Sequence, residues 1–315
     1  MNKVHKNGRP SLPTTLAAGL MLAMAFTLSA CGGDGGGGGG DEAGSLSSSS
    51  SGGGSLSYSS SGSGSSSSGT SSSSSNGDTP SSSSQPPPKC GGTEYNPDKY
   101  ECRNGSKIYL KSGLEDSRDG NTYDAVLIGT QVWMAENLNF NADGSKCGST
   151  PSGSGTLSDA NTIACDKYGR LYDWATAMGL EASCNSSDCS SQIQPKHQGV
   201  CPSGWHIPSG AEWQALVDFA GGDGTAGTKL KSTSGWNAHA TYGDGTDDHG
   251  FSALPGGYGN SDGNFYNVGN DGYWWGASEY GGSNAYSRYM YYSNENAGWF
   301  GNYKSSLFSV RCLQD

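Results

Sequence analysis

The sequence predicts an α+β domain with two helices and short antiparallel strands, stapled by disulfides and preceded by an unfolded stalk. Three observations predict this organisation. Residues 32–89 are almost entirely glycine, serine and proline, eight cysteines follow them, and helix-period and strand-period patterns alternate irregularly after residue 90. The folded part, residues 90–315, is long enough for one domain with insertions.

Residues 1–30 resemble a lipoprotein signal peptide. Three basic residues fall within the first ten, and Leu16 to Leu28 is an apolar run of signal-peptide length, shorter than the about twenty residues that span a bilayer. The run ends in "LSAC", which resembles the lipobox of bacterial lipoproteins, so Cys31 is the expected lipid-attachment residue. An ordinary signal peptide followed by a chance cysteine is the alternative. Gly32, by resemblance to lipoprotein sorting, favours the outer membrane.

Residues 31–89 form a predicted disordered linker. Runs such as "GGGGGG", "SSSSS" and "PPPK" cannot bury enough apolar surface to offset the conformational entropy of ordering them. Such a coil has a root-mean-square span of roughly 40 Å. We expect it to hold the following domain away from the outer membrane, exposed at the cell surface.

The charge of the chain restricts its partners. Without the leader the chain has 15 basic and 29 acidic residues, a formal charge of −14. This balance argues against nucleic acid and against anionic membrane surfaces as partners. We predict no cofactor and no metal, because no C-x-x-C occurs and the five histidines lack ligand spacing. Calcium at "DGTDDH" is a weak alternative, since oxygen ligands are present without an EF-hand loop.

The cysteines predict four disulfides once Cys31 is set aside, an even set in an exported chain. Eight cysteines allow 105 pairings. Local spacing favours Cys90 with Cys102 in a stapled hairpin at residues 90–112, Cys147 with Cys165 across a Gly/Ser/Pro-rich loop, and Cys184 with Cys189 in a polar insertion. Cys201 and Cys312 remain, and their bond would contribute up to about 4–5 kcal/mol in the chain-entropy model.

The core is expected to be aromatic rather than aliphatic. Leucine, isoleucine, valine and phenylalanine are few after residue 90, whereas the same region contains all 8 tryptophans and all but one of the 17 tyrosines. Large rings can replace aliphatic packing when their N–H and O–H groups find partners.

Two segments predict helices. In "CPSGWHIPSGAEWQALVDFAGG", Ser209 and Glu212 form a capping box, and Gly221 ends the helix. Its apolar face consists of Trp213, Leu216, Val217 and Ala220. The earlier "GRLYDWATAMGL" places an apolar face before Gly179, made of Leu171, Trp174, Ala175 and Met178.

Strand patterns account for the rest of the domain. "TYDAVLIGTQVWMAENL" predicts a hairpin across Gly129 and Thr130, with Val126 and Ile128 opposed to Val132 and Met134. "AYSRYMYYS" and "LFSVRC" predict two further strands near the end of the chain.

Five segments together resemble the Fibrobacter succinogenes major paralogous domain, covering residues 113–315: "DGNTYDAVLIGTQVWMAENLNF", "YGRLYDWATAM", "CPSGWHIPSGAEWQAL", "FSALPGGYGN" and "FSVRCLQD". That family occurs in exported bacterial proteins, often lipoproteins, without an established activity. The helix that follows Cys201 and the "VRC" ending also resemble C-type-lectin-like domains. In those domains a cysteine beside the helix pairs with one on the final strand, which supports Cys201–Cys312. The resemblance implies that Trp205, His206 and Trp213 are core residues.

An enzyme is the less favoured interpretation. The same helix resembles that of formylglycine-generating enzymes, which share the lectin-like fold and work through two cysteines near the C-terminus. Here only Cys312 follows Cys201, so that pair is missing. Asp247, Asp248 and His249 lie together in "GTDDHGF" but lack a placed nucleophile. We therefore predict no catalytic residues.

The predicted function is a non-catalytic cell-surface recognition or adhesion module, with plant-type polysaccharide as the ligand. Aromatic residues concentrate after residue 251 among asparagine, glycine and serine, a composition suited to sugars. The candidate ligand-binding residues are Tyr289 and Tyr291 on a strand, with Trp299 and Phe300 in the loop "SNENAGWFGN". A protein-binding or structural envelope lipoprotein would use the same tyrosines and is the alternative.

Overall fold

The computed structural model describes residues 86–150, 153–160 and 162–315. The predicted signal peptide, the lipid-attachment residue Cys31 and nearly all of the predicted linker lie outside these described residues. Within them, no helix combines the length and the apolar character needed to cross a membrane.

The described residues contain short helices and short strands. The four α-helices are α1 (Ile163–Tyr168), α2 (Trp174–Met178), α3 (Gly210–Phe219) and α4 (Ala226–Leu230). The strands are β1 (Lys89–Cys90), β2 (Thr93–Glu94), β3 (Tyr100–Arg103), β4 (Lys107–Leu110), β5 (Leu114–Asp116), β6 (Asn121–Tyr123), β7 (Ala125–Ile128), β8 (Gln131–Met134), β9 (Cys147–Gly148), β10 (Gly153–Ser158), β11 (Trp205–His206), β12 (Tyr258–Gly259), β13 (Asn264–Val268), β14 (Asp271–Glu279), β15 (Asn284–Tyr291), β16 (Ala297–Tyr303) and β17 (Leu313–Gln314). Helices and strands are therefore mixed, as predicted, but two more helices are present than the sequence indicated.

A six-stranded antiparallel sheet, in the order β11–β17–β8–β7–β4–β3, forms the centre of the fold. Its central hairpin, β7–β8, turns at Gly129 and Thr130 as predicted. The register differs from the prediction: Val126 faces Trp133 and Ile128 faces Gln131, because a two-residue turn fixes which residues are opposite. β3 and β4 extend this sheet at one edge, while β1 and β2 form a separate two-stranded ribbon.

A three-stranded antiparallel sheet, β14–β15–β16, carries the longest strands. β15 corresponds to the strand predicted from "AYSRYMYYS". The predicted "LFSVRC" strand is wrong in extent. Its first residues, Leu307 to Ser309, form isolated bridges to three different neighbours, and regular pairing resumes only at β17. A four-stranded sheet, β12–β13–β10–β9, and the ribbon β5–β6 complete the strand pairing.

Helix α3 begins at the predicted capping box. The Ser209 hydroxyl accepts a hydrogen bond from the Glu212 N–H at 3.3 Å, and the Glu212 carboxylate accepts one from the Ser209 N–H at 2.8 Å. Helix α2 is shorter than predicted. The Asp173 side chain caps it by accepting a hydrogen bond from the Thr176 N–H at 2.8 Å. Leu171 lies before the helix and forms an antiparallel β-bridge with Lys146.

Four disulfides staple the domain, and they are the four pairs expected from the sequence: Cys90–Cys102, Cys147–Cys165, Cys184–Cys189 and Cys201–Cys312. The core is aromatic. Five tryptophans are fully buried (Trp133, Trp174, Trp213, Trp274 and Trp275). Their indole N–H groups are bonded, for example Trp275 to the Tyr172 carbonyl at 2.8 Å, which is the condition for such rings to replace aliphatic packing. Trp205, His206 and Trp213 are buried as expected.

Candidate functional site

A cavity of about 270 Å³ lies between the first turn of α3 and the three-stranded sheet. We call it the Arg288 pocket. Its lining residues come from α3, β14, β15 and β16: Gly210, Trp213, Gln214, Gly276, Ser278, Tyr286, Ser287, Arg288 and Trp299. The lining exposes mostly apolar surface with a few polar groups, which is the usual character of small-ligand sites.

Strand alternation places the side chains of the pocket. Arg288 on β15 is paired with Trp274 on β14 and with Trp299 on β16, so these three side chains share one face of the sheet. Tyr286 precedes Arg288 by two residues and therefore points to the same face. Helix α3 covers this face and contributes Trp213, whose ring lies 4.8 Å from that of Trp133 in the core.

Arg288 supplies a fixed positive charge beside the cavity. Its side chain is only 3% exposed, and its Nη1 donates to the Asp223 carboxylate at 3.0 Å and to the Ala297 carbonyl at 3.1 Å. Its Nη2 donates to the Gln214 amide oxygen at 3.1 Å. Within the part of the chain that the structure describes, its Nε has no hydrogen-bond partner. Burial lowers the pKa of Arg288, and the Asp223 carboxylate opposes that change.

Three aromatic rings form a row at the pocket. The ring centroids of Tyr280 and Tyr286 are 5.0 Å apart, and those of Tyr286 and Trp299 are 4.7 Å apart. Trp299 is 51% exposed and Tyr280 is 56% exposed, so water reaches both rings. Gly301 makes room for this row, because a Cβ at that position would collide with the Tyr280 ring.

A hydrogen-bonded cluster fixes the first turn of α3 behind the pocket. His206 is buried, with its Nδ1 2.7 Å from Asp315 Oδ1 and its Nε2 3.1 Å from Glu212 Oε1. Burial alone would lower the pKa of His206, but the two carboxylates raise it overall. Burial would raise the pKa of Glu212, yet its hydrogen bonds to His206 and Ser209 lower it to about 2. Glu212 is thus held as a bonded carboxylate.

The four predicted ligand-binding residues do not form one surface. Trp299 and Phe300 lie in β16 rather than in a loop, because they pair with Arg288 and Ser287 of β15. Neighbours in a strand point to opposite faces, so Trp299 faces the pocket and Phe300 the other side. Tyr289 and Tyr291 lie on the same side as Phe300. These two rings stack at 4.8 Å, and the hydroxyl of Tyr291 lies 3.0 Å from that of Tyr273.

Sequence reasoning missed Tyr280, Tyr286, Gln214 and Arg288 as site residues. One signal could have found two of them. In "AYSRYMYYS" a strand period places Tyr286 and Arg288 on one face, and an arginine on a buried strand face usually has a polar role. No comparable sequence pattern marks Gln214, which α3 contributes to the pocket.

The "GTDDHGF" segment forms structural ties. Asp247 is buried, pairs with Lys107 at 2.8 Å and accepts from the Ser252 N–H at 2.7 Å, so it joins β4 to the following loop. The His249 ring packs on Phe219 at 5.2 Å. Across the described ranges no group of three His, Cys, Asp or Glu residues could hold a metal ion.

Together the fold and the pocket define a disulfide-stapled, mixed α/β domain with an aromatic-walled cavity. The sequence model of the family named Fibrobacter succinogenes major domain matches residues 126–314, which is more than half of the chain. The chain belongs to that family. No curated protein and no solved structure matches the chain.

Proposed function

We propose that residues 90–315 form a non-catalytic recognition module that binds a sugar unit of a polysaccharide in the Arg288 pocket. The observation that carries this proposal is the position of Trp299. Its indole ring is half exposed and forms a wall of the cavity that Arg288 also lines. A flat ring can cover the C–H face of a sugar, while guanidinium, amide and hydroxyl groups bond its hydroxyls.

The cavity supports recognition of a single unit or chain end. Its volume of about 270 Å³ is at the small end of the range for ligand sites. The lining residues with polar side chains on this face are Gln214, Ser278, Tyr286 and Arg288. Ser287 also lines the cavity, but its side chain points to the opposite face of the sheet, with Phe300. The lining includes no Asp, Glu, His, Cys or Lys, the side chains that most often serve as general acids and bases. Such a lining favours binding over turnover.

The proposed ligand class is plant-type polysaccharide, such as cellulose or xylan, on the premise that the habitat of the family extends to this chain. We also propose a C-type-lectin-like fold. The bond between Cys201, before α3, and Cys312, near the end of the chain, supports it. The proposed location is the outer membrane, with acylated Cys31 as the anchor and residues 31–89 as the spacer.

Trp299→Ala tests the proposed site. Truncating a tryptophan at the centre of a binding site costs at least about 2 kcal/mol, roughly a thirtyfold loss of affinity. The matched control is Tyr303→Ala, which removes another exposed ring from the same strand outside the pocket. Pull-down on insoluble cellulose and xylan, with a glycan array for soluble ligands, should show loss for Trp299→Ala alone. A wild-type chain that binds no glycan would overturn the proposal.

The alternative function is a protein-binding or structural envelope lipoprotein. The opposite face of the three-stranded sheet favours it, because Tyr289, Tyr291 and Phe300 form an aromatic surface there, with Phe300 63% exposed. Crosslinking on intact cells would detect a protein partner. A formylglycine-generating activity is the least favoured alternative, since Cys312 and the close pair Cys184–Cys189 are all in disulfides. Turnover of a cysteine-containing sulfatase peptide would support it.

A further inference from the structure

Strand β16 (Ala297–Tyr303) is the edge of the three-stranded sheet. Among the described residues it pairs only with β15. Its sequence, "AGWFGNY", contains no charge and no proline, although natural edge strands usually carry lysine, proline or a bulge that prevents further pairing. Trp299, Phe300 and Tyr303 are all more than half exposed on it. The strand thus lacks the usual protection against a second chain.

The outward-facing backbone groups of β16 can be identified. The Ala297 N–H donates to the Asp223 carbonyl at 2.9 Å, so this residue directs its backbone groups away from β15. In an antiparallel pair that direction alternates, and Trp299 and Gly301 therefore also face outward. In the described part of the chain no backbone partner outside the sheet is found for either residue. These two residues therefore leave two N–H and two C=O groups open.

We propose that β16 pairs antiparallel with β16 of a second copy of this chain, about a two-fold axis at Phe300. In that register Trp299 lies opposite Gly301 of the second copy. The two residues exchange two N–H···O=C bonds, and the symmetry-related pair makes two more. All four open groups are then bonded, and the two Phe300 residues form the non-hydrogen-bonded pair at the axis.

The side chains of β16 are self-complementary in this register. Two of the three large rings lie opposite small residues of the other copy, because Trp299 faces Gly301 and Tyr303 faces Ala297. The third ring, Phe300, faces its own counterpart at the axis. Moving the axis to Trp299 would place Gly301 opposite Ala297, whose N–H is already bonded to Asp223. The register centred on Phe300 is therefore the one in which all four backbone groups of Trp299 and Gly301 are bonded. At its two ends Tyr303 lies opposite Ala297, whose N–H stays bonded to Asp223.

The expected association is weak in solution and stronger on a shared surface. Two seven-residue edges bury less than the about 1,200 Å² of a standard stable interface. Copies concentrated on one surface meet at a much higher effective concentration, which strengthens a weak contact without new interactions. Phe300 does not line the Arg288 pocket, so a substitution at Phe300 tests the pairing while the Trp299 ring of the proposed sugar site is kept.

Variants of the full chain that each add one cysteine test the register. In the proposed pair the two 300 positions lie about 4.5 Å apart between Cα atoms, within disulfide reach. Phe300→Cys should therefore give covalent dimers under mild oxidation on a non-reducing gel. The matched control is Tyr303→Cys, equally exposed on the same strand, whose two copies would lie about 20 Å apart. Equal crosslinking of both variants, or none by Phe300→Cys, overturns the proposal.

Sedimentation equilibrium provides a second measurement on the full chain. The wild type should self-associate with rising concentration, and Phe300→Lys should remain monomeric because it places two like charges at the axis. Near-UV circular dichroism checks that Phe300→Lys keeps the native packing. A wild-type chain that stays monomeric at every concentration, or a Phe300→Lys variant that associates equally well, contradicts β16 pairing.

Discussion

Glu212→Gln should destabilise the protein at pH 6 and should flatten its acid transition. The Glu212 carboxylate accepts hydrogen bonds from the Ser209 N–H at 2.8 Å and from His206 at 3.1 Å. These bonds lower its pKa from 4.5 to about 2. A difference of that size corresponds to about 3 kcal/mol of stability at pH 6.

The sign of the pH dependence follows from the direction of each pKa change. For Glu212, whose pKa is lowered in the fold, the stabilisation is present above pH 4.5 and is lost as the pH falls toward 2. For His206, whose pKa is raised, the stabilisation is present below pH 6.5 and is lost as the pH rises through the folded value. The cluster therefore stabilises the fold most between about pH 4.5 and 6.5.

Urea unfolding followed by tryptophan fluorescence, with the disulfides intact, measures this effect from pH 2.5 to 8. The wild type and Glu212→Gln should differ by about 3 kcal/mol at pH 6 and by about 1 kcal/mol at pH 2.5. Glu115→Gln, at an exposed carboxylate on β5, should follow the wild type throughout. If the difference at pH 2.5 equals that at pH 6, the ionic account of the cluster is wrong.

Three further predictions concern the anchor, the long disulfide and a buried lysine. Cys31→Ala should abolish incorporation of a clickable fatty acid, and a variant that still labels would refute the acylation site. Replacing both cysteines of the Cys201–Cys312 pair by alanine should lower the free energy of unfolding in urea by about 5 kcal/mol, against about 2 kcal/mol for the Cys184–Cys189 pair. The reason is that the sequence separation is 111 in the first pair and 5 in the second. Equal losses would contradict the loop-entropy account. Burial lowers the pKa of Lys231 from 10.5 to about 8 in the folded protein. The wild type should therefore gain stability relative to Lys231→Met as the pH rises from 8 to 9.5. Parallel stability profiles of the two proteins over this pH range would disprove the lowered pKa.

Local signals predicted those parts of the fold that depend on a few adjacent residues. The start of α3 is specified by Ser209 and Glu212, three positions apart, and the β7–β8 turn by Gly129 and Thr130. The extent of α2 could not be predicted in this way. Leu171 has the helix period, but its backbone is held extended by pairing with Lys146 from a distant part of the chain. The five-residue α4 depends on a contact between the Gly227 N–H and the Glu295 carbonyl, 68 positions away.

The candidate site, too, depends on contacts between distant segments that local sequence patterns do not predict. The sequence marked Trp299 as a costly exposed ring, and the structure places it at a cavity. Alternation within "AYSRYMYYS" assigns faces inside one strand, but it does not tell which residue of a neighbouring strand lies opposite. That register brings Arg288 beside Trp299 and separates Phe300 from it. Sequence patterns do not encode such pairings between segments that only the folded chain brings together.

The Cys201–Cys312 bond has a mechanical consequence. Every residue that lines the Arg288 pocket, from Gly210 to Trp299, lies inside the covalent loop that this bond closes. A load applied between the residues before Cys201 and those after Cys312 can extend only those two end segments. It cannot lengthen the path between Cys201 and Cys312 beyond the disulfide while that bond remains oxidised. The residues of the pocket therefore bear none of that load, and a reductant that breaks the bond would expose them to it.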